Sequence, residues 1–443
     1  MPKTSANLKR RLPKRRIKVL YVCPFAHYTG HFSWAAVHET AALAQAGIGV
    51  ELLTFSGITD EAEIKVPHST ACSQTRLGYS TDRFAKVLKK WRLTAWFSMF
   101  LETFLTLTVA IRLKQKRNYD VIHLRDGEPF LFLIHLLNLS RRDYYWVVSL
   151  TGSNLITLDS YPSVISAFRK GFRAFLYLIY IRILTTNLWR PVYSKSLAKN
   201  HFLFLTQNTI IKEKFESYMG GILSGKVMCL ALGVNEIDRV ISKEEARKYF
   251  GLPQDKPVLL SFGFLHAGKD IEVMFRALKD IPDVFLLHGG DQMFRLHLLG
   301  SVGLVEKYDM RDRTVIKDCY IPEDEKPYYF FAADAIILSY NKQFVATTSL
   351  LWQACRFSLP VIASDNGQLK ELVETFQPGL VFKAEDTDSL RCAILRFLNL
   401  EPEEVSKLKD NCQLFAGEFS LKNWAKQCIE IYEKLLNKGD SKP

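Results

Sequence analysis

Short apolar runs recur along the chain, each closed by a cluster of Gly, Asn, Asp, Ser or Thr and most followed by an amphipathic stretch. Ile17–Pro24 (IKVLYVCP), Val50–Phe55, Val121–Leu124, Tyr145–Leu150 and His201–Leu205 are rich in β-branched and aromatic residues, which predicts buried strands. The loop AHYTGHF after the first run leads into a predicted helix over Ser33–Ala46, stopped by Gly47. Arg125-Asp126-Gly127, Thr151-Gly152-Ser153-Asn154 and Thr206-Gln207-Asn208 close three later runs as polar turns. Strand, polar loop, helix is the rhythm of a parallel, doubly wound sheet.

The rhythm restarts after Gly233-Val234-Asn235 and a charged helix over Lys243–Phe250. Strands are predicted at Val258–Phe262, Val284–Leu287, Thr314–Ile316, Ala335–Leu338 and Pro360–Ala363, with a helix over Ile271–Leu278. The expected division is a basic arm (1–16), a Rossmann-like domain (17–232), a second one (233–420) facing it across a cleft, and a helical tail (421–443).

The most informative segment is 334–367. Thr347, Thr348 and Ser349 fall where the first amides of a helix over 349–357 lack intrahelical partners, an arrangement that suits a phosphate and equally an ordinary N-cap. Asp365, Asn366 and Gly367 end the next strand on its carboxyl side, where ligands of open α/β sheets gather. Gly289-Gly290-Asp291 and Gly263 end two more strands; each is a turn that also permits close backbone approach of a ligand.

Composition narrows the class. With 443 residues the chain exceeds one ordinary core, and 48% hydrophobic against 24% charged residues marks it as globular. Residues 1–200 hold 29 Lys/Arg against 12 Asp/Glu, a surplus of +17, whereas the remainder stands at −4. An anionic membrane surface or substrate fits that basic half; nucleic acid fits the charge, but no RNP-like, zinc-finger or helix-turn-helix pattern accompanies it. The 8 cysteines show no CxxC pair and no metal-ligand spacing, which points to a reducing, cytoplasmic setting without a structural metal. Two stretches bear on membranes. Residues 93–111 are apolar around Glu102, whose insertion would cost about 2.5–3.5 kcal/mol, so a span is disfavoured. Residues 166–193 mix five Arg/Lys with Phe, Leu, Ile and Tyr, which suits either a helix on the cytoplasmic face of an anionic bilayer or one packed on a sheet with its Arg stems over apolar surface.

The blocks SFGFLHAGKDIEVMFRAL, LLHGGD, YYFFAADAIILSY, the hydroxyl-rich helix start, and LPVIASDNGQLKELV follow one another in the order and spacing of a known group. Over residues 17–430 the chain resembles glycosyltransferases of the GT-B fold, family 4. That resemblance implies two Rossmann-like domains, with a nucleotide-sugar donor (UDP-, GDP- or ADP-linked) in the second and a glycan or lipid-linked acceptor in the first. It also implies transfer with retained anomeric configuration, no metal, and no cofactor beyond the donor.

Carried over residue by residue, the resemblance places Lys269 beside the donor diphosphate, with Gly263, Gly290, Thr347, Thr348, Ser349, Gln353, Gly367 and Glu371 around the nucleotide. Gly30 and His31 form the small first-domain loop near the donor, and Asp126, Thr151 and Asn154 lie at strand ends where the acceptor is expected. Four positions depart from the family pattern: Phe264 replaces a donor-loop Arg, Val345 and Gln353 replace two glutamates, and Thr151 stands where a His commonly ends a first-domain strand. Losing one charge-assisted bond to a buried phosphate leaves about 1.5–3 kcal/mol to be supplied elsewhere. The same departures motivate an alternative, a catalytically silent relative that binds a nucleotide sugar or a partner enzyme.

Overall fold

The computed structural model describes residues 16–26, 31–55, 72–76, 94–126, 131, 133, 137, 144–150, 195–199, 201–266, 268–291, 300–344 and 347–440. Its first lobe contains β1 (Lys18–Cys23), α1 (His31–Gln45), β2 (Gly49–Thr54), β3 (Cys72–Arg76), α2 (Thr94–Lys116), β4 (Val121–Leu124), β5 (Tyr145–Leu150), β6 (Phe202–Thr206), α3 (Thr209–Tyr218) and β7 (Val227–Cys229). The second runs α4 (Lys243–Phe250), β8 (Val258–Phe262), α5 (Ile271–Lys279), β9 (Phe285–Gly289), α6 (Gly300–Lys307), β10 (Thr314–Lys317), α7 (Lys326–Ala332) and β11 (Ala335–Leu338). It continues with α8 (Ser349–Arg356), β12 (Val361–Ser364), α9 (Gly367–Phe376), β13 (Gly379–Phe382), α10 (Thr387–Leu398) and α11 (Pro402–Glu418), before α12 (Leu421–Asp440).

The strands form a seven-stranded sheet, β3-β2-β1-β4-β5-β6-β7, and a six-stranded sheet, β10-β9-β8-β11-β12-β13. Every pairing described is parallel. Strand order reverses between β1 and β4 in the first sheet and between β8 and β11 in the second, and a crevice opens outside the carboxyl ends at such points. The strand interiors are apolar on both faces because helices cover both. Alternate residues of β8 show this: Val258, Leu260 and Phe262 pack with α7 and α8, while Leu259 packs with α5 and α10.

The apolar stretch beginning near residue 93 is α2, which lays Leu107, Ala110 and Ile111 against Ile122 and Trp146 of the first sheet. Among the described residues no helix is long and apolar enough to cross a membrane. The basic stretch 166–193 lies outside the described residues.

The lobes are joined by two passages of chain that run parallel where they touch at Val234, whose amide donates to Phe419 O (2.8 Å) and whose carbonyl accepts from Leu421 N (2.9 Å). Gly233 packs closely there: a Cβ would crowd Trp424 Cβ at 3.2 Å and Leu421 Cα at 3.3 Å. α12 then returns to the first lobe, burying Trp424, Cys428, Tyr432 and Leu435 with Val19, Tyr21 and Val121.

Candidate functional site

Three loops at the carboxyl ends of β8, β9 and β11 are tied into one platform. Gly263 N donates to Gly289 O (2.8 Å) and Leu265 N to Asp291 O (2.9 Å), so the β8 and β9 loops lie back to back. Gly290 makes that contact sterically: a Cβ there would sit 2.2 Å from the Gly263 carbonyl oxygen. Asp270 N donates to Ser339 O (3.0 Å), and Ser339 Oγ returns a bond to Asp270 O (2.7 Å), joining the β8 and β11 loops. Asn366 completes the platform. Its Nδ2 donates to the carbonyls of Asn341 and Phe344, both at 2.9 Å, while Oδ1 accepts from Ser364 Oγ at 2.6 Å.

Lys269 is held inside this platform, 8% exposed, with its ammonium donating to the carbonyls of Phe262 and Gly263. No carboxylate offsets the loss of water, and burial pushes its pKa down to about 7. A small cavity lined by Ser261, Lys269, Met274, Leu338, Tyr340 and Leu350 adjoins it.

The start of α8 lies beside it; the Leu350 side chain reaches within 3.5 Å of a Cβ built on Gly263. Thr348 is the N-cap. Its Oγ1 accepts from Leu350 N (3.3 Å) and pairs with Tyr340 Oη at 2.6 Å. Thr347 Oγ1 donates to Gln368 Oε1 (2.8 Å) and accepts from Asn208 Nδ2 of the first lobe at 2.9 Å. Both hydroxyls that the sequence suggested for a phosphate are engaged by protein in this structure. What helix geometry leaves for an anion are the Ser349 and Leu351 amides, with the exposed Ser349 hydroxyl.

Of the other residues singled out, Gln353 is half-buried in the second turn of α8, and its Oε1 has no hydrogen-bond partner. Gly367 opens α9 with φ +55°, exposed, and Glu371 is exposed one turn further on. Phe264 is half-buried and leans on the Tyr320 ring, 6.2 Å between centroids. Gly30, Thr151, Asn154 and Val345 lie outside the described residues; His31 begins α1, two residues earlier than its sequence pattern suggests.

Asp126 is buried in the first lobe, at the end of β4, in a left-handed conformation (φ +55°). One carboxylate oxygen meets Arg125 at 3.3 Å and the other, Oδ2, has no partner. Arg125 also pairs with Glu39 at 3.3 Å, and Glu39 accepts from the Tyr21 hydroxyl. Burial raises the pKa of Glu39, while Arg125 and the Tyr21 bond oppose the rise. Beside them His123 bridges Ser149 Oγ and Tyr432 Oη, both at 2.7 Å. Burial, helped by Arg125, pushes the His123 pKa down to about 3, so this imidazole is neutral. Sequence reasoning missed Glu39, Arg125, His123 and Asn208. Arg125 and Asn208 sit in polar turns already read as strand ends; Glu39 is a lone acid on an otherwise apolar helix, which was a usable signal. Among the described residues no group of three or more His, Cys, Asp or Glu could hold a metal ion.

Residues 242–415 match the family model of group 1 glycosyl transferases. A D-inositol 3-phosphate glycosyltransferase of Thermobispora bispora is 26% identical over 219 residues, 46% of this chain and 50% of that protein. A probable sucrose-phosphate synthase of Vicia faba is 25% identical over 212 residues, 43% of this chain and 19% of the relative. The chain thus spans half or less of the curated relatives it matches. Among solved structures, the sucrose-phosphate synthase of Thermosynechococcus elongatus superposes with a TM-score of 0.69 at 18% identity, covering 95% of this chain and 100% of the other. HepE of Anabaena, in complex with UDP, gives 0.64 at 14% identity, covering 94% and 100%. The chain has the GT-B fold, and its second lobe, over residues 242–415, matches the group 1 glycosyl transferases.

Proposed function

We propose that the protein is a family 4-like, retaining, metal-independent glycosyltransferase that moves a sugar from a UDP-, GDP- or ADP-sugar to a hydroxyl of a glycan or lipid-linked acceptor. The observation that carries this reading is the buried Lys269 ammonium, held at the end of β8 beside the Gly263–Gly290 contact and the start of α8. As the bond between sugar and diphosphate breaks, negative charge accumulates on the leaving phosphate. A desolvated ammonium and fixed amides stabilise that charge more than they stabilise the intact donor, which is the condition for catalysis. In this reading Asp126, at the end of β4 with one carboxylate oxygen unpartnered, is the candidate acceptor for the attacking hydroxyl's proton. HepE, a neighbour in fold, binds UDP, which supports a nucleotide-linked donor for this chain. The +17 surplus over residues 1–200 supports a cytoplasmic protein that docks peripherally on anionic lipid through its first lobe.

A second reading, a binder of nucleotide sugar that does not turn it over, is favoured by two observations. At Gln353, where the family pattern has a carboxylate, the amide oxygen is buried without a partner, and Phe264 contributes a ring where a cation would stand. One experiment separates the two. The purified protein is incubated with a panel of UDP-, GDP- and ADP-sugars, with and without a lipid-linked acceptor, and both binding and nucleotide release are measured. Acceptor-dependent release establishes the transferase. Binding without release across the panel supports the silent reading, and no binding at all removes both.

A further inference from the structure

We propose that Asn208 is a positioning residue that acts across the cleft: fixed in the first lobe, it holds Thr347 and, through it, the anion-facing start of α8 in the second. The proposal rests on the donor reading above and adds to it the element that couples the two lobes.

Asn208 is 2% exposed and is the N-cap of α3. Its Oδ1 accepts from Ile211 N at 2.7 Å, and Thr206 Oγ1 donates to its carbonyl at 3.1 Å. The first bond orients the side chain and the second holds the backbone that carries it, and Nδ2 meets Thr347 Oγ1 at 2.9 Å. Only an amide does both jobs. Ser, Thr or Asp would cap α3 as well, but none of them presents an N–H donor at the far end.

Thr347 passes the constraint on. Having accepted from Asn208, its hydroxyl gives its own proton to Gln368 Oε1 in the first turn of α9 at 2.8 Å. The hydroxyl therefore has no proton for a phosphate, and its part is to orient the backbone between residues 347 and 351. α3 of one lobe also packs against α9 of the other, so the bond forms only when the lobes are closed. An anion gripped by the α8 amides and closure of the cleft then favour each other, as linkage requires.

The test uses the full-length protein with Asn208→Ser, Thr347→Val and the double variant. Ser caps a helix about as well as Asn, so Asn208→Ser keeps the cap of α3 and loses the reach to Thr347. Hydrogen exchange without ligand then speeds up in segment 347–353, and affinity for UDP, GDP or ADP, measured by calorimetry, falls about two- to tenfold. The double variant loses no more than Thr347→Val alone, because that substitution already removes the bond to Asn208 along with the one to Gln368. Wild-type exchange in Asn208→Ser, or full additivity in the double variant, overturns the proposal. Wild-type protein that binds none of the three nucleotides counts against the donor reading alone, since the exchange measurement needs no ligand.

Discussion

Lys269 Nζ lies 3.3 Å from the carbonyl oxygen of Gly263, and no acid faces it. With its pKa pushed down to about 7, the free protein loses this positive charge within the physiological range. A diphosphate needs the charged form, so affinity for UDP-glucose, whose own diphosphate does not titrate there, is flat below pH 6. It weakens by up to about tenfold per unit above 7. Lys269→Met binds weakly at every pH. Calorimetry from pH 5.5 to 9 checks this, and a pH-independent wild type would remove Lys269 from the phosphate site.

Stability carries the same signature with a definite sign. The folded-state pKa, about 7, lies below the unfolded value of 10.5, so between these limits the unfolded chain binds more protons than the folded one. Unfolding free energy therefore rises with pH across that window as the buried ammonium discharges. Comparing urea midpoints of wild type and Lys269→Met isolates the effect from other titrating groups. Only the wild type gains the upward slope, and parallel curves would contradict the assignment.

Gly290→Ala tests the contact between the β8 and β9 loops. The added methyl group would sit 2.2 Å from a backbone oxygen, which no rotamer change relieves. The loops must separate, at a cost of about 1–3 kcal/mol by the usual range for overpacking. Nucleotide binding is expected to fall with the melting temperature, because the separated loops belong to the platform around Lys269. A variant that melts as wild type and binds as wild type would show that the loops are not rigid.

Much of this platform was legible in the sequence because it is built from local signals. Strands β8, β9, β11 and β12 are continuous apolar runs with Gly or polar residues at their ends, and α8 announces itself by Thr348 before an amphipathic turn. Less legible were β3 (CSQTR), too polar to read as a strand, and β7 (VMC), too short; both are edge strands fixed by their neighbours rather than by their own pattern. The protein partners of Thr347 and Thr348 were not legible for a similar reason. A hydroxyl at a helix start is visible in sequence, but whether protein or ligand uses it depends on Tyr340, Gln368 and Asn208. Asn208 comes from 139 residues away, and no spacing rule reaches that far.

Tyr432→Phe examines how α12 is held to the first lobe. The hydroxyl meets His123 Nδ1 at 2.7 Å in a fully buried setting, and the neutral imidazole has no water to replace it. Removing one partner leaves the other unsatisfied, which costs about 1–3 kcal/mol. The loss concentrates in α12: hydrogen exchange over 421–440 accelerates more than in the second lobe. Uniform acceleration across the chain would mean that α12 unfolds only with the whole molecule.

Gln353→Glu bears on whether the departures from the family pattern weaken the donor site. The Gln353 Oε1 is buried and unpartnered, so the position offers an acceptor that a ribose hydroxyl could reach. A carboxylate there accepts more strongly than an amide, by a margin of about 1–1.5 kcal/mol for charge-assisted over neutral bonds. UDP affinity therefore rises about five- to tenfold, the gain disappears with a 2′,3′-dideoxy nucleotide, and Gln353→Leu falls below wild type with either. A gain in affinity without any rise in acceptor-dependent release would mean that ribose binding is not what limits transfer and would favour the silent reading. A weaker Gln353→Glu would mean that its charge faces the diphosphate, and the nucleotide would then lie further along α8 than the family pattern implies.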